Sequence, residues 1–173
     1  GVRAEVGIPT VFNILGPLSH PGGVRRQVLG VADPTRVDVI AEVLRQRGME
    51  RAWVVHGHDG LDELTATETS TVIEVVDGTT RRFELDPASV GLERRTVEDI
   101  AVGDPAENAE VARRVLAGER GAHRDIVVLN AAAGLVVGGH VVDLAEGVEA
   151  ASAAVDDGRA AAVLDRLVAA SRN

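Results

Sequence analysis

A strand, a helix and a second strand follow one another over residues 26–55, and this order constrains the fold more than any other feature of the chain. Residues 26–32 (RQVLGVA) and 51–55 (RAWVV) have the apolar pattern of short strands. Residues 35–47 between them repeat apolar side chains three and four positions apart, as an amphipathic helix does. A strand, helix and strand at this spacing form a βαβ unit, in which the two strands are parallel, so the sequence predicts an α/β protein.

The remainder of the chain adds a hairpin and several helices to this unit. Strands are predicted at residues 71–76 and 80–85, and the Asp77-Gly78 pair between them is a strong hairpin signal. Residues 10–23 contain glycines and prolines and are predicted to form a structured loop. Helices are predicted at residues 96–101, 105–116, 126–137, 144–155 and 159–171. The expected architecture is a mixed sheet flanked by helices.

Composition excludes several classes of function. The 173 residues suit one domain or slightly more, and the absence of cysteine excludes a disulfide scaffold and a cysteine nucleophile. A formal net charge of −9 and an aromatic content of 2% disfavour nucleic-acid binding. No apolar run approaches the roughly 18 residues of a membrane span, and no signal peptide is visible. We therefore expect a cytoplasmic protein with neither a membrane nor a nucleic acid as its partner.

An acidic loop follows the strand at residues 51–55 and carries Asp59, Asp62 and Glu63. Open α/β sheets bind their ligands at the carboxyl ends of parallel strands, which is where this loop begins. Mg²⁺ is commonly held by one or two carboxylates together with substrate phosphates, so Asp62 and Glu63 are candidate metal ligands. A solvated acidic loop without a ligand is the alternative that the spacing leaves open.

Two other polar features have a structural and a functional interpretation. His56 and His58 have the HxH spacing of some zinc hydrolases, but the further histidines that such a site needs are in or near helical segments. His56 is better interpreted as a polar side chain at a strand end. Asn130 lies within the apolar stretch of residues 126–137 and is interpreted as a hydrogen-bonded core amide rather than a ligand.

The first eighteen residues offer a cation and a rigid loop. Arg3 lies in what reads as the end of a helix, where it either complements the helix dipole or clamps a carboxylate through its bidentate guanidinium. Residues 13–18 (NILGPL) fit a hinge, a pocket wall or a plain rigid turn. The sequence contains no P-loop, no GxGxxG and no Ser-His-Asp spacing, so neither dinucleotide binding nor triad hydrolysis is indicated.

Several stretches, in this order, resemble one family closely: the anthranilate phosphoribosyltransferases of tryptophan biosynthesis. The resemblance extends over essentially the whole chain, and five stretches carry it. They are VRAEVGIPTVFNILGPL (2–18), RRQVLGV (25–31), VVHGHDGLDEL (54–64), VLNAAAGLVV (128–137) and EGVEAASAAVDDGRAAAVLDRLV (146–168).

The resemblance implies a nucleoside phosphorylase/phosphoribosyltransferase-type α/β domain and a glycosyltransferase activity. The amine of anthranilate attacks the anomeric carbon of phosphoribosyl pyrophosphate, and pyrophosphate leaves. By motif, Arg3 resembles the arginine that holds the anthranilate carboxylate, and Asp62 and Glu63 resemble the pair that binds Mg²⁺. Residues Asn13, Gly16 and Pro17 resemble a hinge segment and pocket wall near the anthranilate channel.

The resemblance also implies parts that these 173 residues do not contain. Residues 1–173 correspond to the C-terminal part of the catalytic α/β domain, without the N-terminal helical domain and the glycine-rich phosphate loop. We therefore expect this chain alone to be inactive and the complete protein to be a homodimer. A pyrimidine nucleoside phosphorylase-like enzyme and a non-catalytic nucleic-acid-binding relative are the alternative readings.

Overall fold

A four-stranded sheet in the order β1-β2-β3-β4 forms the centre of the molecule. The computed structural model describes residues 16, 18, 19 and 22–172. The strands are β1 (Arg26–Gly30), β2 (Arg51–Gly57), β3 (Ser70–Val76) and β4 (Thr79–Leu85). β1 pairs with β2 in parallel, and β2, β3 and β4 pair antiparallel, so the predicted mixed sheet and its parallel pair are confirmed.

The β3–β4 turn confirms the predicted hairpin. Asp77 has φ of 46° and Gly78 has φ of 78°, so both central residues of this two-residue turn are in the left-handed region. Type I′ turns require this backbone, and Asp-Gly is one of the pairs that adopt it most readily. The turn therefore sets the register that places Val76 opposite Thr79.

Six α-helices are described. They are α1 (Val37–Gln46), α2 (Val97–Ile100), α3 (Pro105–Leu116), α4 (Ala122–Gly138), α5 (Leu144–Asp156) and α6 (Arg159–Ser171), with short 3₁₀ turns at Pro34–Arg36 and Pro87–Val90. The helix α4 begins four residues before the predicted start at residue 126, because the polar residues of its first turn interrupt the apolar pattern. Gly16 and Leu18 are helical, which corrects the loop predicted at those two positions. No helix in the described ranges is both long enough and apolar enough to cross a membrane.

The core lies in two layers, one on each face of the sheet. Alternate residues of a strand point to opposite faces. Ala52 and Val54 accordingly pack in a cluster with α1, whereas Trp53 and Val55 pack in a second cluster with α4. Because β2 lies between β1 and β3 and is covered on both faces, almost all of its residues are buried.

Two arginines at the beginnings of β1 and β2 fix the end of α4 against the sheet. Arg26 Nη1 donates to the carbonyl of Gly138 at 2.9 Å, and Arg51 Nη1 donates to the carbonyl of Val136 at 2.8 Å. The last carbonyls of a helix lack partners within the helix, and cations are favoured there. The end of α4 is therefore anchored beside the amino ends of the two parallel strands.

Candidate functional site

The candidate site is the loop of residues 58–69, which begins at the carboxyl end of β2 and leads into β3. Its ends are held together, because His58 N donates to the Thr69 carbonyl at 3.0 Å. A tight turn follows, in which Gly57 N donates to the Leu61 carbonyl and Gly60 N to the Gly57 carbonyl, both at 2.9 Å. β1 and β2 are parallel, so this loop lies at the edge where the carboxyl ends of both strands meet, as the sequence predicts.

The carboxylate of Asp59 accepts hydrogen bonds from other residues of the loop. Its Oδ2 accepts hydrogen bonds from Thr65 Oγ1 and Thr67 Oγ1, each at 2.5 Å, and its Oδ1 accepts one from Leu61 N at 3.2 Å. Burial of the Asp59 carboxylate opposes ionisation, but these hydrogen bonds outweigh it and lower the pKa of Asp59. Asp59 is therefore a charged group that holds the loop in shape.

Asp62 and Glu63 differ from Asp59 in having no such partners. Within residues 22–172, no side chain or backbone group donates a hydrogen bond to either carboxylate or forms an ion pair with it. Asp62 is exposed and Glu63 is half-buried. Burial of Glu63, and then the negative charges of Asp62 and Asp59, raise the pKa of Glu63. The pair thus holds negative charge that the surrounding described residues do not compensate.

The carboxylates of Asp62 and Glu63 suit a hard divalent cation, but they do not provide all of its ligands. Carboxylate oxygens are the ligands that Mg²⁺ prefers, and a cation would relieve the repulsion at Glu63. In the part of the chain that the structure describes, no group of three or more His, Asp or Glu side chains converges on one point. A metal here would therefore take its remaining ligands from water and from a bound phosphate compound.

His56 and His58 do not converge on a metal position. His56 is buried, and its Nδ1–H donates to the Val31 carbonyl at 2.8 Å, which makes it a strand-end side chain as predicted. His58 Nε2 lies 3.0 Å from Thr71 Oγ1 and 3.2 Å from Glu84 Oε2. Both imidazoles thus contact residues that lie in the strands or directly beside them.

The other predicted site residues fall largely outside the described chain. Arg3, Asn13 and Pro17 are not among the described residues. Gly16 is exposed, and a Cβ added there would meet no atom within 4 Å. The roles of these four residues in binding anthranilate stay predictions.

Asn130 takes a larger part in the site than the sequence indicated. It is a hydrogen-bonded amide, as expected, but its partner is the backbone of the acidic loop: Oδ1 accepts from Leu64 N at 3.0 Å and Nδ2 donates to the Leu64 carbonyl at 2.8 Å. A polar residue within the apolar run of α4 was the available signal. It could not reveal which segment the amide contacts, because Leu64 is 66 residues away.

Comparison with known proteins identifies the family. The family model described as "Glycosyl transferase family, a/b domain" matches residues 1–161. The chain belongs to this family. Within the glycosyl transferase family it is similar to the anthranilate phosphoribosyltransferase of Parvibaculum lavamentivorans, with 52% identity over 170 residues, which are 98% of this chain and 50% of that protein. For the anthranilate phosphoribosyltransferase of Phenylobacterium zucineum, the identity is 53% over 96% of this chain and 49% of the relative.

Solved structures from the glycosyl transferase family show the same fold. The crystal structure of anthranilate phosphoribosyltransferase from Thermus thermophilus superimposes with a TM-score of 0.88 at 43% identity, over 99% of this chain and 51% of that one. The Saccharomyces cerevisiae enzyme in complex with PRPP and Mg gives a TM-score of 0.83 at 30% identity, over 95% and 48% of the two chains. The predicted fold class is thereby confirmed, and the chain spans about half the length of the curated relatives it matches.

Proposed function

We propose that this chain supplies the α/β part of an anthranilate phosphoribosyltransferase. In that reaction the phosphoribosyl group passes from phosphoribosyl pyrophosphate to the amine of anthranilate, giving N-(5-phosphoribosyl)anthranilate and pyrophosphate in tryptophan biosynthesis. The names of relatives about half identical to the chain support this assignment. Since the chain spans half of those relatives, the activity is proposed for a protein that contains both halves.

One structural observation carries the proposal: Asp62 and Glu63 present uncompensated carboxylates at the carboxyl ends of β1 and β2. We propose that these two residues hold Mg²⁺ together with the pyrophosphate of the substrate. Two carboxylates completed by phosphate oxygens are a usual arrangement for this ion. A structure of the yeast relative is of a complex with PRPP and Mg, which supports the same ion in this family.

The proposed reaction depends on the placement of the two substrates and on compensation of the charge on the leaving group, more than on covalent bonding to the protein. The nitrogen of anthranilate forms a bond to the anomeric carbon while the carbon–oxygen bond to pyrophosphate breaks. The electron pair of that bond leaves with pyrophosphate, and the proton that the amine loses passes to solvent. Bound Mg²⁺ supplies compensation of the charge that develops on the leaving group. We propose that Arg3 orients the anthranilate carboxylate, which places the amine for attack, and that Asn13, Gly16 and Pro17 line the approach.

The comparisons favour this function over the two alternatives. The relatives and structures described above are named as anthranilate phosphoribosyltransferases, not as nucleoside phosphorylases or nucleic-acid-binding proteins. The homodimer, the cytoplasmic location and the absence of a nucleic-acid partner stay predictions. Light scattering of the purified complete protein tests the first, and a gel shift with DNA at varied salt tests the third.

A graft tests the proposed function directly. The chain replaces the matched segment of the Parvibaculum lavamentivorans relative, and anthranilate consumption is followed by the loss of its fluorescence. We expect turnover only when phosphoribosyl pyrophosphate and Mg²⁺ are both present, and none from the 173-residue chain alone. The unaltered relative is the positive control, and a thermal melt establishes that the graft is folded.

Two results would contradict the proposal. If a folded graft leaves anthranilate unchanged while the relative consumes it, this chain does not support the proposed activity. A folded graft that instead splits thymidine in the presence of phosphate would assign it to the nucleoside phosphorylases.

A further inference from the structure

Two contacts hold the backbone on either side of Glu63, and each comes from a different element of the fold. Gly30 at the end of β1 lies against the peptide of Asp62, and Asn130 of α4 is hydrogen-bonded to the peptide groups of Leu64. We propose that Gly30 and Asn130 are positioning residues that keep the carboxylates of Asp62 and Glu63 together for a divalent cation. This inference rests on the metal-binding role proposed above for that pair.

Gly30 acts through the space that it leaves free. A Cβ built on this residue would lie 2.5 Å from the carbonyl carbon of Asp62 and would overlap its carbonyl oxygen. The φ of Gly30 is not in the left-handed region, so its backbone would accept other residues. Space, rather than conformation, therefore requires glycine here. The carbonyl group of Asp62 occupies the position that a side chain would fill.

Asn130 acts through a two-point hydrogen bond. Its Oδ1 accepts from Leu64 N at 3.0 Å, and its Nδ2 donates to the Leu64 carbonyl at 2.8 Å and to the Ile126 carbonyl at 3.0 Å. An amide that both donates to and accepts from one residue fixes the orientation of that residue, since neither bond forms if the peptide groups turn. The third bond, within α4, holds the amide itself in place.

These contacts oppose the repulsion among the acidic side chains. The charges of Asp62 and Asp59 both act on Glu63, and the loop would lower this repulsion by moving the carboxylates apart. Gly30 leaves room for the Asp62 peptide beside β1, and Asn130 binds the Leu64 peptide groups, so the backbone is placed without a hydrogen bond from either residue to the carboxylates of the pair. The carboxylates therefore stay close together while their oxygens remain available for a cation. Groups that orient metal ligands in this way commonly change metal affinity about 10-fold to 100-fold when they are removed.

Two variants of the graft described above and two matched controls, each made in this chain's part of the graft, test the inference by NMR. Gly30→Ala adds a methyl group against Asp62, and Gly134→Ala adds one where no atom lies within 4 Å. Asn130→Ala removes the amide, and Asn108→Ala removes an exposed amide from α3. Amide hydrogen exchange without metal reports the order of the loop. Line broadening by added Mn²⁺, with inorganic pyrophosphate present, reports cation binding at residues 62–64. The exposed Glu98-Asp99 pair of α2 serves as an internal reference.

We expect Gly30→Ala and Asn130→Ala to speed the exchange of the loop amides and to require about 10-fold more Mn²⁺ for the same broadening at residues 62–64. Both controls should match the parent, and broadening at residues 98–99 should be the same throughout. The comparison is made at a temperature where circular dichroism shows every variant to be folded.

Each other outcome is decisive. If the two variants are folded and bind Mn²⁺ as the parent does, Gly30 and Asn130 serve packing alone, and the metal role of the pair stands. If the graft without these substitutions shows no broadening at residues 62–64, both the inference and the metal assignment are overturned, although the transferase proposal can still be judged by anthranilate consumption.

Discussion

Trp53 Nε1 donates a hydrogen bond to Glu74 Oε1 at 3.0 Å across the β2–β3 pair, in which these two residues lie directly opposite each other. Arg51 and Arg81 also donate to the Glu74 carboxylate, at 2.9 Å and 3.0 Å. Burial opposes the charge on Glu74, but the three donors outweigh it and lower the pKa of its carboxyl group. A charged side chain is thus accommodated in a buried position by donors from its own sheet.

Glu74→Gln should lower the free energy of unfolding at pH 7 by about 2 kcal/mol, since hydrogen bonds to a charged group are lost. A lowered folded-state pKa gives stability that is present above the unfolded pKa, about 4.3, and is lost as pH falls through the folded value. The difference between parent and variant should therefore shrink below about pH 4.3. Urea unfolding at several pH values measures this difference in unfolding free energy.

Glu119→Gln, which alters an exposed ion pair with Arg114, is the control, and its unfolding free energy should differ little from that of the parent. A difference that does not vary with pH would mean that Glu74 is not charged in the fold.

Gly147→Ala should destabilise the contact between α4 and α5. A Cβ at residue 147 would lie 2.9 Å from the Cβ of Ala132 and 3.0 Å from its carbonyl oxygen. Replacing a glycine within a helix gains up to about 1 kcal/mol, but overpacking a core costs about 1–3 kcal/mol. We expect a net loss in thermal melts, whereas Gly134→Ala in α4, which has open space around it, should be neutral or stabilising. Equal melting temperatures for the two variants would show that the helices can separate at no cost.

Gly78→Ala should weaken the β3–β4 hairpin by about 1 kcal/mol, because an alanine at φ of 78° is strained. Asp77→Asn is the matched change in the same turn and should be tolerated, since Asn-Gly adopts the same turn readily. Chemical denaturation of both variants measures the difference. An unchanged stability of Gly78→Ala would imply that the turn changes type when the glycine is lost.

Asp59→Asn should loosen the loop of residues 58–69. An amide offers only one oxygen, so the hydrogen bonds from Thr65, Thr67 and Leu61 cannot all be kept. We expect faster amide exchange over the loop and a loss of about 1–3 kcal/mol in unfolding free energy. Thr67→Val, which removes one of the donors, should have a smaller effect in the same direction. Glu68→Gln changes an exposed carboxylate of the same loop and should leave the exchange rates as they are.

Arg3→Ala and the pair Asp62→Asn with Glu63→Gln should have separable effects in the graft. Loss of the proposed carboxylate clamp should raise the KM for anthranilate about 10-fold or more, in line with the loss of a charge-assisted hydrogen bond. Loss of the two acidic groups should instead raise the Mg²⁺ concentration needed for half-maximal rate. The graft carrying Glu68→Gln controls for a simple loss of one negative charge in the loop. If Arg3→Ala had the parent's KM, the substrate role of that residue would be wrong.

The sequence predicted the parts of the fold that depend on neighbouring residues. The parallel pairing of β1 and β2 follows from the strand–helix–strand order, and the hairpin follows from Asp77 and Gly78. It also placed Asp62 and Glu63 at the correct edge of the sheet. It could not show that Gly30 leaves room for a peptide 32 residues further along the chain, or that Asn130 reaches back to Leu64. Close approaches of this kind depend on tertiary packing, and no local pattern encodes them.

The helix α4 is attached to the rest of the fold at two positions along its length. Asn130 holds the loop at the carboxyl edge of the sheet, and the carbonyl of Val136 is held by Arg51 near the opposite edge. These two positions are six residues apart, which is about 9 Å along the helix, and each residue turns the helix by about 100°. Removing one residue from this span would swing Asn130 away from Leu64 while the other attachment stayed in place. The number of residues between Asn130 and Val136 therefore determines how the acidic loop is aligned with the strands.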